Sequence, residues 1–402
     1  MFWLVGFPVV LLLAHLIFRK TSPRAIRLPA LSDEEMMVPL VPRDEKTTTV
    51  CVTGGAGFLG SAVVRQLAEK DVFVVVLDRS IPQRDIRNVS FHKVDLATED
   101  LTPFFEHADA VVHVAGLVFL RDDPNLLYNA HHVVTRNVIR CARKAGVSAL
   151  CFTSSGGAVT SPYVRAPQLR VPSDFTPDLE SFPFASHYSR HKYAAELAVL
   201  AANQPGFATL ALRLPGLYGI GDTLIVDPLL DGTLTHVPSR AGADGCPIDF
   251  CYVENAAHAH VVAVNALLNR PRVVGGRSFN VTNGESETRP VVAMWNELLT
   301  RCKPGAPKLR PLPYAAAFAL ACIVEAIDWF TCGRVPYPSH AIWGLTRASL
   351  GFATTPISLA LTGSRELGYT PPFTTAQSFE DIAKKAEAKA RAKAEGEAKK
   401  AD

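Results

Sequence analysis

Residues 50–67 read VCVTGGAGFLGSAVVRQL, a β-branched apolar run that breaks into glycines and passes straight into a helical pattern. A strand that turns through glycines directly into a helix opens a strand-helix-strand unit, because a parallel partner strand is reached only by a crossover. The alternation continues through VFVVVLD, VSFHKVDL, AVVHVAG, a long helical run to Gly146, ALCFTSS, a helix around Tyr193 to Asn203, and ATLALRLPG. Strands alternating with helices predict an α/β fold built on a doubly wound parallel sheet. With 48% hydrophobic and 20% charged residues among 402, the chain has the composition of a protein that buries a substantial core.

After about residue 216 the alternation loosens and Pro and Gly become frequent. That change predicts a smaller C-terminal substrate lobe over the carboxyl ends of the strands, where ligands sit in such sheets. The expected organisation is a sheet domain over 47–216, a substrate lobe over 217–375 with some return to the core, and a charged low-complexity tail over 376–402. The Ala/Lys/Glu repetition of the tail reads as a solvated single helix or a disordered segment. Within 314–330 the run AAAFALACIV is soon interrupted by Glu325 and Asp328, so a buried or interfacial helix is expected there rather than a membrane span.

Met1 to Phe18 is apolar except for His15 and stops at Arg19-Lys20, which predicts an N-terminal transmembrane helix over 1–20. A cleaved signal peptide is the alternative, but no basic residue precedes the run and no clear small-x-small site follows it. Residues 21–46, with Pro23, Pro29, Pro39 and Pro42, read as a tether. Positive charges after the helix place the rest of the chain on the cytosolic side of a membrane. Eight cysteines with no CxxC pair and no metal-ligand spacing fit a reducing compartment and give no metal site. A net charge of +3, with much of the basic excess in the flanks, argues against a nucleic-acid partner.

In the glycine turn, Gly54, Gly55, Gly57 and Gly60 allow both a G-x-x-G-x-x-G and a G-x-G-x-x-G reading. Such a turn lets a pyrophosphate approach the helix N-terminus at Phe58 and Leu59, whose unpaired N–H groups and dipole favour an anion. Asp78 ends the next strand about twenty residues on, where a carboxylate binds the ribose hydroxyls of a dinucleotide in a Rossmann-type fold. A carboxylate there favours NAD, yet Arg79 follows and can pair with the 2′-phosphate of NADP, so both cofactors stay open. Asp95 ends the third strand, from which it either reaches the adenine or caps a turn.

In ASHYSRHKYAAELAVLAAN, Tyr188 and Lys192 are four apart and share one helical face. A phenol with a pKa of about 10 is a poor base, but an adjacent ammonium and an oxidised nicotinamide stabilise its anion. Ser155, preferred over Ser154, stands at the carboxyl end of ALCFTSS, where a hydroxyl can orient a substrate oxygen. His187 and His191 flank the tyrosine and are expected to point away from it as surface residues.

TGGAGFLG, the strand ending in Asp78, HVAG at 113–116, FTSS, Tyr188-x-x-x-Lys192, ALRLPGLYGIGD at 211–222, DFCYVENAAHAHVVA at 249–263 and FNVTNGE follow one another in order. In these motifs the chain resembles the extended short-chain dehydrogenases, and among them the 3-beta-hydroxysteroid dehydrogenase branch, over about 47–370. The resemblance implies NAD(P)-dependent oxidation of a sterol 3-beta-hydroxyl, with Tyr188 as base, Lys192 holding the phenolate and the nicotinamide ribose, and Ser155 orienting the oxygen. It further implies loss of carbon dioxide where C4 of the sterol carries a carboxylate, an endoplasmic reticulum or related membrane, and a homodimer. A hydroxysteroid dehydrogenase/isomerase, a reductase of another lipid, and a non-catalytic dinucleotide-binding scaffold are the alternatives. One departure is Val134, which stands where the family's Asn-x-x-Gly-Thr-x-Asn helix motif has glycine.

Overall fold

The computed structural model describes residues 48–401 apart from 71, 83–84, 118–122, 164–167, 241–243, 285–287 and 332–345. The expected membrane helix and its tether lie outside the described residues.

The sheet begins with β1 (Thr49–Thr53), buried along its whole length. Val50 and Val52 pack into one core and Cys51 into the other, as the two-residue side-chain period of a strand dictates. A strand covered on both faces must be apolar on both, and so TVCVT has no polar face to show. The chain then turns into α1 (Phe58–Ala68) and returns as β2 (Phe73–Asp78) and β3 (Val89–Lys93), all parallel.

From β3 it crosses back over β1 to β4 (Ala110–His113), then α2 (Val134–Lys144), β5 (Ala149–Ser155), α3 (His187–Ala201), β6 (Ala208–Leu214), α4 (Val253–Asn269) and β7 (Arg277–Asn280). Among the described residues the seven strands form one sheet in the order β7-β6-β5-β4-β1-β2-β3. The direction of winding reverses between β1 and β4, and ligands of such sheets bind in the crevice at that point. Cores on the two faces follow from the helices: α1 and α4 cover one face, α2 and α3 the other.

A second, small sheet is built from Gln168–Val171, Pro247–Ile248, Arg289–Pro290 and Ile357–Leu359, strands drawn from distant parts of the chain. In α5 (Tyr314–Phe330) the residues turned inward are the small Ala317 and Ala321 with Val324. Leu320, Ile323, Ile327 and Phe330 are instead exposed, at the spacing of a single helical face. No described helix is long and apolar enough to cross a membrane.

The charged tail does not start as a solvated helix. In α6 (Thr375–Ala401) Ser378, Phe379 and Ile382 are fully buried, and the Ser378 hydroxyl lies 2.6 Å from that of Tyr218. Lys385 donates to Glu254 of α4 at 2.8 Å, so the first turns are docked on the core and only the later turns are solvated.

Candidate active site

Each glycine of the turn has its own reason for lacking a side chain. Gly54 adopts φ +74°, and a Cβ there would stand 2.7 Å from the Ala115 backbone. A Cβ on Gly60 would meet the Gly54 carbonyl oxygen at 2.0 Å, so Gly60 lets α1 start hard against the turn. Gly55, expected from the sequence to hold cofactor, has its missing side chain facing Val76 at 2.6 Å and Val64 at 3.0 Å, which makes it a packing position between α1 and β2. At Gly57 the nearest atom is the Gly54 oxygen at 3.3 Å; a side chain here would project into the large cavity that Gly54, Gly57, Phe58, Leu59 and Gly60 line. Gly57 is also the N-cap of α1 without any side-chain cap, so the first N–H groups of the helix are left for an anion. The residues present therefore fit a dinucleotide pyrophosphate.

Asp78 lines the same cavity and ties the turn together. Its Oδ2 accepts from the Ala56 N–H at 3.0 Å, while Oδ1 accepts from the Ser80 N–H at 3.1 Å. Arg79 lines the cavity beside it and is exposed. Asp95 lines the cavity, and its Oδ1 accepts from the Ala97 N–H at 2.9 Å in a local turn.

On the same wall the structure brings Ser155, Tyr188 and Lys192 together. Ser186 caps α3, its hydroxyl accepting from the Ser189 N–H at 3.2 Å, and this sets where Tyr188 enters the helix. The phenol is hydrogen-bonded to Ser155, which lowers its pKa, but burial prevails and pushes it above the ordinary tyrosine value. Lys192 is 4% exposed and donates to the Thr153 carbonyl at 2.9 Å, with its Nζ 5.0 Å from the Phe152 ring centroid. Burial pulls this ammonium down to about 8. The adjacent serines divide their work: the Ser154 hydroxyl donates to buried Glu196 at 2.5 Å, and Ser155 Oγ accepts from the Gly157 N–H at 3.1 Å.

The histidines differ from expectation. His191 is fully buried rather than on the surface, with its ring 5.9 Å from Tyr128 and 6.3 Å from His187. Sequence reasoning passed over His131, whose ring stands edge-on to Tyr188 at 5.3 Å, and His113, whose ring nitrogens lie 2.7 Å from Thr53 and 3.0 Å from Thr135. The HVAG motif marks the first of these neighbourhoods, since Gly116 abuts both His131 and Lys192. Val134, the departure in the helix motif, opens α2 and lines the cavity.

The cavity measures about 1210 Å³ and its lining is mostly apolar, with Leu224, Leu312, Leu320, Phe352 and Leu359 among the lining residues beside polar ones such as Asp222 and His236. Pockets for one drug-sized ligand span about 300–1,000 Å³, so there is room for a cofactor and an apolar second ligand.

Comparison with known proteins agrees. A mouse (Mus musculus) sterol-4-alpha-carboxylate 3-dehydrogenase, decarboxylating, is 32% identical over 70% of this chain and 76% of its own. A 2-alkyl-3-oxoalkanoate reductase of Stenotrophomonas maltophilia (strain K279a) is 30% identical over 69% and 82%. The crystal structure of a Thermus thermophilus UDP-glucose 4-epimerase in complex with NAD shares the fold, with a TM-score of 0.59, 22% identity, and coverage of 85% of this chain and 99% of that one. The model of the 3-beta hydroxysteroid dehydrogenase/isomerase family matches residues 51–302, and the chain belongs to that family as an oxidoreductase acting on CH–OH groups.

Proposed function

We propose that this chain oxidises the 3-beta-hydroxyl of a sterol using a nicotinamide cofactor, NAD ahead of NADP, and that the sterol carries a 4-alpha-carboxylate which leaves as carbon dioxide. The observation that carries this reading is one cavity lined at once by a side-chain-free glycine turn, by Ser155, Tyr188 and Lys192, and by apolar side chains of the C-terminal half. The names of the mouse and human relatives, both sterol-4-alpha-carboxylate 3-dehydrogenases, support the substrate class.

In this reading the glycine turn and the first N–H groups of α1 hold the pyrophosphate, and Asp78 holds the adenine-side ribose. The bound nicotinamide supplies the hydride acceptor. Ser155 donates a hydrogen bond to the 3-oxygen and fixes it, and the Tyr188 phenolate takes its proton as the C3–H bond breaks. Lys192 supplies the positive charge that stabilises that phenolate, counteracting the burial that raises the phenol. The product is a beta-keto acid when C4 bears a carboxylate. Its C4–carboxyl bond breaks with the electron pair passing into the ketone as an enolate, which a proton then quenches; no further residue is required.

The exposed apolar face of α5 supports contact with a membrane of the endoplasmic reticulum type, since Leu320 belongs both to that face and to the cavity lining. Such contact lets an insoluble sterol pass from lipid to cavity. A second reading, reduction of a 2-alkyl-3-oxoalkanoate, rests on the Stenotrophomonas relative and runs the same transfers backwards. Purified protein given a 4-carboxysterol and NAD is expected to release NADH and carbon dioxide in equal amounts. Neither product appearing overturns the sterol reading, and turnover of a 2-alkyl-3-oxoalkanoate with reduced cofactor selects the second.

A further inference from the structure

We infer that Thr153, anchored by His260, is the positioning residue for Lys192: its hydroxyl is fixed from one face of the sheet so that its carbonyl is presented to the ammonium arriving from the other. The inference rests on the reading of Lys192 as a member of the reacting group.

The AHAH stretch at 257–260 of α4 takes no part in the chemistry proposed above. Ala256, Ala259, His260 and Ala263 fall on one stripe of that helix and are all fully buried. Three small residues bring the helix close to the sheet, and the imidazole reaches into it. His260 Nδ1 lies 2.7 Å from the Ala256 carbonyl oxygen, which can only accept, so Nδ1 carries the proton. Burial pulls the ring down to about 4, so near pH 7 it is neutral and Nε2 holds a lone pair. The Thr153 hydroxyl, 2.8 Å away, therefore donates to Nε2.

Strand geometry turns this anchor into a direction. Ala149 and Cys151 pack into the core that α4 covers, and Thr153 follows on the same face by the two-residue period, while Leu150 and Phe152 pack into the core beneath α3. Among the described residues β4 pairs with β5 as far as Phe152↔His113, whereas β6 pairs on to Ser155↔Leu214. Past Phe152 the strand is thus laddered on one side, and there the Thr153 carbonyl accepts from Lys192 Nζ at 2.9 Å. The Phe152 ring, its centroid 5.0 Å from Nζ, meets the cation from the α3 face. A peptide with a strand on one side only needs another constraint to hold its plane, and the bond from the Thr153 hydroxyl to His260 supplies it.

Packing alone does not call for this pair. Two apolar side chains of the same shape fill a core as stably as a buried threonine and histidine that satisfy each other. What the polar pair adds is a fixed orientation of one residue, whose two oxygens join α4 to α3 through the sheet.

The test is a lysine side-chain NMR titration of the full-length protein, which needs no substrate, with the Lys192 signal assigned by its loss in Lys192→Met. In the wild-type chain the ammonium is expected to titrate near 8. Thr153→Val keeps the volume and removes the hydroxyl, and should weaken proton binding at Lys192 roughly fivefold, a part of the effect of a hydrogen bond to a charged group. Thr153→Ser keeps the hydroxyl and loses a methyl, and should titrate as wild type. A packing role predicts the opposite ranking, because valine fills the site and serine does not. Should the stranded His260 keep Thr153→Val from folding, the double variant Thr153→Val/His260→Leu removes both polar groups together, and it should melt close to wild type while showing the same shift. A Lys192 titration unchanged in the valine variants, or moved as far by serine as by valine, overturns the inference. If the wild-type chain oxidises no alcohol at all, the functional reading fails instead, and the titration still decides this one.

Discussion

The Ser154 hydroxyl donates to Glu196 at 2.5 Å, and this bond locks the end of β5 to the helix that carries Tyr188 and Lys192. Tyr188, Lys192 and Glu196 succeed one another at four-residue spacing, so the register of Tyr188 and Lys192 against Ser155 is set one residue away, by Ser154. Glu196 is itself neutralised by Arg213, Oε1 to Nη2 2.6 Å, both side chains being fully buried. Arg213 donates through Nη1 to the carbonyls of Ser173 and Phe175 at 3.0 and 2.9 Å, which ties the sheet to the loop over it.

Removing one partner of such a pair strands a buried charge. Glu196→Ala should lower unfolding stability by about 3–5 kcal/mol, read from denaturant midpoints at constant slope.

The glycines of the turn should separate by effect. Gly57→Ala adds a methyl that meets little protein but fills the pyrophosphate cradle, so calorimetric cofactor affinity should fall roughly tenfold or more with the melting temperature nearly unchanged. Gly60→Ala drives a Cβ into the Gly54 oxygen and should destabilise the fold by about 3 kcal/mol or more. Gly55→Ala should behave like Gly60→Ala, because its collisions are with Val76 and Val64.

Lys192 gives a pH signature. Its folded value of about 8 lies below the ordinary 10.5, so between those values the unfolded chain holds a proton that the native chain has released. Stability from this group should therefore rise with pH across that window, by about 3 kcal/mol in all, and the penalty is fully present below it. Lys192→Met should be more stable than wild type at pH 7 by about 1–2 kcal/mol after the lost hydrogen bond to Thr153 is counted, and should lose that advantage near pH 11. Thermal melts of both proteins at the two pH values check it.

The parallel sheet was readable because its strands are buried on both faces and its turn needs glycines, two requirements that leave marks in consecutive residues. Tyr188 and Lys192 were readable for the same reason, as a local helical spacing. Features that depend on distant packing left no such mark. His191 lies among charged neighbours in sequence, yet α3 turns it inward against Tyr128. The π-helical turn Tyr128–Val133 that brings His131 to Tyr188 depends on an irregular hydrogen-bond pattern to which no residue type is bound. In α6, Phe379 and Ile382 are two apolar residues at the edge of a lysine-rich repeat, and both are buried, Phe379 against the ring of Tyr218 far upstream. Gly55 carried the right residue for a phosphate turn, but its role depends on Val64 and Val76, which only the assembled sheet brings to it.

The central claim is that Tyr188 exchanges the proton with the substrate oxygen, and the most direct measurement compares Tyr188→Phe with wild type for both cofactor binding and turnover of the same alcohol. Cofactor affinity should be unchanged within about twofold, while kcat falls by about 10²–10⁴. Turnover that survives the loss of the phenol, with cofactor bound normally, would contradict the account.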